Sequence, residues 1–267
     1  MVAGAEALLL WLGPRADARR LRLFAVACCR RIGALLGCDE RWPDCVEAAE
    51  AFADGSIGKE ELWDRSETGR LKGYVEHGLA WQPEAGTAVQ HAGTWSDAQG
   101  RPTGSFDTPV LFPTAQALRA AAGAAAALAY HQTDPEYSAV EMCYGGREPS
   151  PAYPAAVRDE RRAQADLVRE LFGNPFRAVA CDPAWLSAGG APALELAWSA
   201  YHERRFDLLP VLADALEDAG CIQEALLTHC RSGGAHVRGC WALDALLRAQ
   251  SPARPEPGAI RQCPPQE

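Results

Sequence analysis

The stretch His229-Cys-Arg-Ser-Gly-Gly-Ala-His-Val-Arg-Gly-Cys240 gathers two imidazoles, two thiols, two guanidiniums and three glycines within twelve residues. Two binding chemistries are open to it. Arg231, Gly233, Gly234, His236 and Arg238 form an anion-binding set. Backbone N–H groups at a glycine turn ahead of a helix, with guanidiniums beside them, suit a phosphate or carboxylate. Gly233-Gly234 reads equally as an ordinary helix stop flanked by surface arginines. The phosphate-loop pattern also needs a lysine that the segment lacks. Cys221, Cys230, His236 and Cys240 form the other set, a zinc site, because thiolate and imidazole are zinc ligands that converge at about 2.0–2.3 Å. His236 and Cys240, four positions apart, are expected to share one helix face. The chain has no C-x-x-C pair, and the competing reading is of buried thiols acting as small hydrophobes. A cysteine nucleophile, Cys230 or Cys240 beside a histidine, is a third chemistry. Activation needs a partly exposed, electropositive thiol, whereas Cys240-Trp241 falls on an apolar stripe.

Two further charge sets carry possible chemistry. Asp214, Glu217 and Asp218 fall on one helix face at i, i+3 and i+4, where they could bind a cation or share a proton. A solvated acidic face is the plainer reading, since a hard cation wants more carboxylates than these. Arg19, Arg20, Arg22, Arg30 and Arg31 line one side of a helical pattern and could meet phosphates. They serve equally as the solvated side of an amphipathic helix or as partners for some of the 35 acidic residues.

Composition narrows the classes of function. The net charge of −9 and a pI near 5.2 oppose a general nucleic-acid binder, which carries a basic face. Of the 26 basic residues only Lys59 and Lys72 are lysines. The ten cysteines sit in a chain of 267 residues with no secretory pattern. They therefore point to reduced thiols in a cytoplasmic protein rather than to a disulfide framework. The apolar run Ala7–Leu12 contains no basic lead, and the Ala-rich Ala120–Tyr130 is too short to span a bilayer.

The elements that must position these groups are helical. Leu21, Phe24, Cys28, Ile32 and Leu35 recur at helical spacing, and the pattern predicts a helix over 16–37 with Asp17 near its start. Further helices are expected over 43–53, stopped by Asp54-Gly55, and over 59–77. Residues 82–113 lack periodicity and are rich in Gly, Pro, Thr and Ser. Helices are then expected over 115–131 and 154–172, the latter stopped by Gly173-Asn174-Pro175. Four more follow, over 192–205, 208–219, 222–230 and 237–249, joined by loops short enough for antiparallel neighbours.

Arg20-Leu-Arg-Leu-Phe-Ala-Val-Ala-Cys-Cys-Arg-Arg-Ile32 is one familiar block. The other comprises Leu171-Phe-Gly-Asn-Pro-Phe-Arg177, Asp182-Pro-Ala-Trp-Leu186, Leu212-Ala-Asp-Ala-Leu-Glu-Asp-Ala-Gly-Cys221 and His236-Val-Arg-Gly-Cys-Trp241. Together they resemble an uncharacterised helical protein family abundant in planctomycete bacteria. The resemblance covers about half the chain and implies no activity and no site residues.

The sequence thus predicts an all-α protein, antiparallel helical hairpins packed as an irregular bundle with a long irregular middle loop. Its expected divisions are an N-terminal helical region (1–81), a low-complexity linker (82–113), a C-terminal helical region (114–250) and a disordered tail (251–267). The expected function is a non-enzymatic interaction or scaffold module with another protein as partner, and neither nucleic acid nor membrane. No cofactor is expected other than zinc. The alternative is an anion- or zinc-binding enzyme or ligand-binding protein built on Cys221–Cys240.

Overall fold

A computed structural model describes residues 4–33, 41–62, 64–65, 114–133, 150–177, 179–187 and 192–250. Every regular element among them is a helix, so the all-α expectation holds. None of those helices is long and apolar enough to cross a membrane. The chain forms two compact units, Met1–Pro175 with Ala235–Cys240, and Phe176–Gly234 with Trp241–Glu267.

The first unit is built around α2 (Ala18–Arg31), which packs against α3 (Arg41–Ala53), α4 (Thr114–Thr133) and α5 (Tyr153–Phe172). Ahead of it, α1 (Ala5–Leu12) buries Ala5, Leu9 and Leu12 and packs on α5. Asp17 caps α2 by accepting the Arg20 backbone N–H at 2.8 Å, which satisfies one donor that the helix leaves orphaned. From Leu21 to Cys29 every residue of α2 is buried. A helix enclosed on all sides needs small residues where neighbours come close, and α2 supplies Ala25, Ala27, Cys28 and Cys29. On α4 the matching surface is Ala117, Ala120, Ala121, Ala124 and Ala127, all buried. Gln164 of α5 donates its side-chain amide to the Ala121 carbonyl at 2.8 Å, so this buried amide is satisfied.

The arginine side of α2 differs from a solvated face. Arg22 is 2 % exposed and lies over the Phe52 ring with its guanidinium 5.0 Å from the centroid. Burial draws its pKa down to about 9. Arg19 pairs with Asp54 at 2.9 Å, Arg30 with Glu50 at 2.9 Å, and Arg31 with the buried Glu160 at 2.7 Å. The helix is hydrophobic and charged at once because Arg19, Arg30 and Arg31 reach carboxylates on or just past α3 and on α5.

The linker expected over 82–113 lies outside the described residues, as do the tail 251–267, Leu35 and the far part of the helix expected over 59–77. Helices from either side of 82–113 share a single core, in which Phe24, Ala48, Ala120 and Leu171 are all buried.

In the second unit, the short α6 (Ala184–Ser187) precedes α7 (Pro192–His202), α8 (Leu209–Asp218), α9 (Glu224–Arg231) and α10 (Trp241–Gln250). Helix α7 packs on α8 and α10, and α8 on α9. Leu209, Leu212, Leu216, Leu226, Leu243 and Leu246 are fully buried there. Gly220 ends α8 at φ +89°, with the Cys221 N–H bonded to the Leu216 carbonyl and the Gly220 N–H to Glu217. That double closure requires a left-handed residue, which glycine adopts without strain.

Candidate metal centre

Residues 235–240 form a strap that belongs to the first unit although the chain on either side belongs to the second. It is not helical, contrary to the helix expected over 237–249, which starts only at Trp241. The reason is Gly239. Its φ is +89°, and a Cβ there would stand 2.6 Å from Leu23 Cδ1 and 2.9 Å from Leu171 Cδ2. Only a glycine lets the strap lie this close to the leucine core of α2 and α5. A turn closed by the Cys240 N–H on the Val237 carbonyl at 3.0 Å, not a helix face, brings His236 and Cys240 together. Val237 packs against the core.

The strap's charged groups are paired inside the unit. Arg238 reaches Asp54 at 2.8 Å and Glu50 at 3.4 Å. Each of those carboxylates is also held by an α2 arginine, Glu50 by Arg30 and Asp54 by Arg19. The His236 imidazole lies 3.0 Å from a Glu170 carboxylate oxygen through Nδ1, with both side chains almost fully buried. Glu170, on the last turn of α5, and Cys240, which is 0 % exposed, complete the group. The ligating atoms of Glu170, His236 and Cys240 all lie within 4.8 Å of one another.

These three side chains are a carboxylate, an imidazole and a thiol, the donor types that zinc accepts. For one ion to be shared with Glu170, His236 must present the ring nitrogen that faces the carboxylate, Nδ1, with the ring proton on Nε2.

The sequence-derived sets fare differently. His236 and Cys240 converge. Cys221 and Cys230 lie in the second unit, buried at 2 % and 0 % exposure, and are not part of the converging group. Burial pushes the Cys221 thiol up, away from the thiolate that a metal or a nucleophilic role needs. Of the anion set, Arg231 is engaged by Asp214 at 2.7 Å and Glu217 at 2.5 Å, Arg238 by Glu50 and Asp54, and His236 by Glu170. Gly233 and Gly234 fall in an irregular stretch after α9 and carry no left-handed backbone. Asp214 and Glu217 thus face a guanidinium instead of an open cation position. His229, in the second unit, accepts the Trp241 indole N–H on Nδ1 at 3.2 Å, which keeps the proton of its neutral ring on Nε2.

Glu170 escapes a reading of the sequence that looks only at the cysteine-rich segment, 66 positions downstream at His236. Its signal lies on its own helix. In α5 the inward side carries Glu160, Gln164, Leu167, Leu171 and Glu170, and acidic groups that face a core must find a partner there.

Comparison with known proteins gives no match: no family model, no curated protein and no solved structure aligns with the chain.

Proposed function

We propose that the chain is a non-enzymatic helical module that carries a divalent cation of the zinc class on Glu170, His236 and Cys240. The observation that supports it is the convergence of those three ligating atoms within 4.8 Å, although His236 and Cys240 lie far along the chain from Glu170. A thiol beside an imidazole favours a borderline-soft ion over magnesium or calcium, which take oxygen ligands. The non-enzymatic part rests on Cys240, whose complete burial suits a structural ligand and denies a substrate access to its sulfur. Metal analysis of protein purified without chelator, followed by zinc titration of the stripped chain, is the test. One tightly held equivalent, lost in both Cys240→Ala and His236→Ala, is expected. No stoichiometric metal and no zinc uptake would remove the reading.

A second reading adds a protein partner for the second unit. Phe176, Trp198, Val211 and Ile222 are 79 %, 51 %, 52 % and 87 % exposed, large apolar groups of the kind that anchor interfaces. Retention of a native partner that Trp198→Ala and Ile222→Ser together abolish supports it; an unchanged pull-down counts against it. A cytoplasmic location, where thiols stay reduced, and kinship with the planctomycete family on the blocks quoted above belong to the same proposal.

A further inference from the structure

We infer that the cation acts as a latch, holding residues 235–240 onto the first unit, so that metal binding and strap docking are one event. The inference rests on the cation reading above and adds a conformational role to it. His236 and Cys240 lie at opposite ends of the strap, whereas Glu170 lies on α5. An ion held by all three therefore joins strap to helix and has its full ligand set only when the strap is down.

The contacts between those ligands tie docking to coordination. Gly239 packs on Leu171, the residue after Glu170, and on Leu23 of α2. Arg238 carries its guanidinium to Glu50 and Asp54 of the α3 end. Lifting Gly239 off Leu171 draws Cys240 away from Glu170, since Cys240 follows Gly239 and Glu170 precedes Leu171 in the chain. Whatever weakens docking must then weaken metal affinity by the same factor, and the ion must in turn strengthen docking. A site preformed elsewhere, with the strap a bystander, shows no such reciprocity.

The test uses the full chain stripped of metal, with zinc as the probe and amide hydrogen exchange over 235–241 as the readout. Zinc is expected to slow exchange in the strap by about tenfold or more relative to chelator-treated protein. Gly239→Ala, which removes no ligand atom, is expected to weaken zinc affinity by about tenfold or more. Arg238→Gln, which leaves the backbone and all three ligands in place, covers the case in which Gly239→Ala fails to fold, and is expected to weaken affinity in the same direction. Zinc uptake that depends on Cys240 but changes neither strap exchange nor the affinity of these variants would overturn the latch and leave the cation reading standing. Absence of Cys240-dependent uptake overturns both.

Discussion

Two arginines of this chain each bridge two carboxylates at hydrogen-bonding distance, in settings that differ in solvent. Arg238 of the first unit joins Glu50 and Asp54, whose side chains are 3 % and 10 % exposed. Arg231 of the second unit joins Asp214 and Glu217, at 70 % and 57 %. The bond lengths alone would rank the exposed pair higher. Solvent reverses that order, because an exposed pair exchanges one hydrated state for another, whereas a buried carboxylate that loses its partners has no water to fall back on. The first unit has therefore committed its charges to positioning α2, α3 and the strap, whereas the second unit packs its helices on leucines and leaves the Arg231 bridge in water.

The sharpest way to break this contrast is to remove a carboxylate from the buried cluster. Glu50→Ala takes from Arg30 and Arg238 the carboxylate they share and leaves Arg238 with Asp54. A loss of about 3–5 kcal/mol is expected for the first unit, read as faster amide exchange across α2 and α3. Exchange in α8 and α9 of the second unit is expected to stay as it is. A loss below about 1 kcal/mol would mean that water reaches Glu50 freely and the cluster is a surface feature.

Burial sharpens the contrast for thiols as well. Cys29 sits fully inside α2, and desolvation pushes its pKa from 9.0 up to about 12, with Arg30 pulling it back somewhat. The folded chain keeps this proton between pH 9 and 12 while the unfolded chain gives it up, so folding stability falls as pH rises through that window. The contribution approaches about 4 kcal/mol at the top of the window and about 1.4 kcal/mol near pH 10, from 1.36 kcal/mol per pH unit. Cys29→Ala removes this slope, so wild type and variant are expected to diverge above pH 9 in alkaline urea melts. Parallel profiles would mean that Cys29 is hydrated in the folded state. Cys181 of the second unit is pushed only to about 11, chiefly by burial and then by Cys221, so its effect runs over a narrower pH window.

Arg238→Ala stands next in size. Glu50 keeps Arg30 and Asp54 keeps Arg19, so about 1–3 kcal/mol is expected, below the Glu50 substitution. A larger effect from Arg238 than from Glu50 would make the strap, rather than the shared carboxylate, the centre of the cluster.

How much of this was legible in the residues depends on whether the signal was local. Helix periodicity, the Asp17 cap, the stops at Gly55, Gly173 and Gly220, and the leucine stripes of α8 and α10 are written within a few positions, and the helices stand there. His236 and Cys240 were legible as metal-ligating types. Glu170 was not paired with them because that contact joins the end of α5 to a strap 66 positions later. The arginine side of α2 was readable as charged but not as buried, since its partners Asp54, Glu50 and Glu160 lie on other helices. The helical spacing over 237–249 takes in Gly239, since a single glycine is compatible with a helix; its left-handed backbone answers to Leu23 and Leu171, which are distant in sequence.

The smallest expected effect lies at the exposed bridge. Asp214 first and then Glu217 hold the Arg231 guanidinium in its charged form through side-chain hydrogen bonds. Yet all three groups stand in water, and each regains hydration when the bridge is cut. Arg231→Gln, which keeps most of the side chain over α8 and α9, is expected to leave the urea midpoint of the second unit unchanged within measurement scatter, at low salt and at high salt alike. The bridge links the two helices across 14 and 17 positions, so it could only be stabilising if it fixed their register. That register is already set by Leu212, Leu216, Leu226 and Leu227, which are buried between them. A midpoint shift as large as that of Arg238→Ala would show the exposed bridge doing what solvent should prevent, and the distinction between the two units would no longer rest on burial.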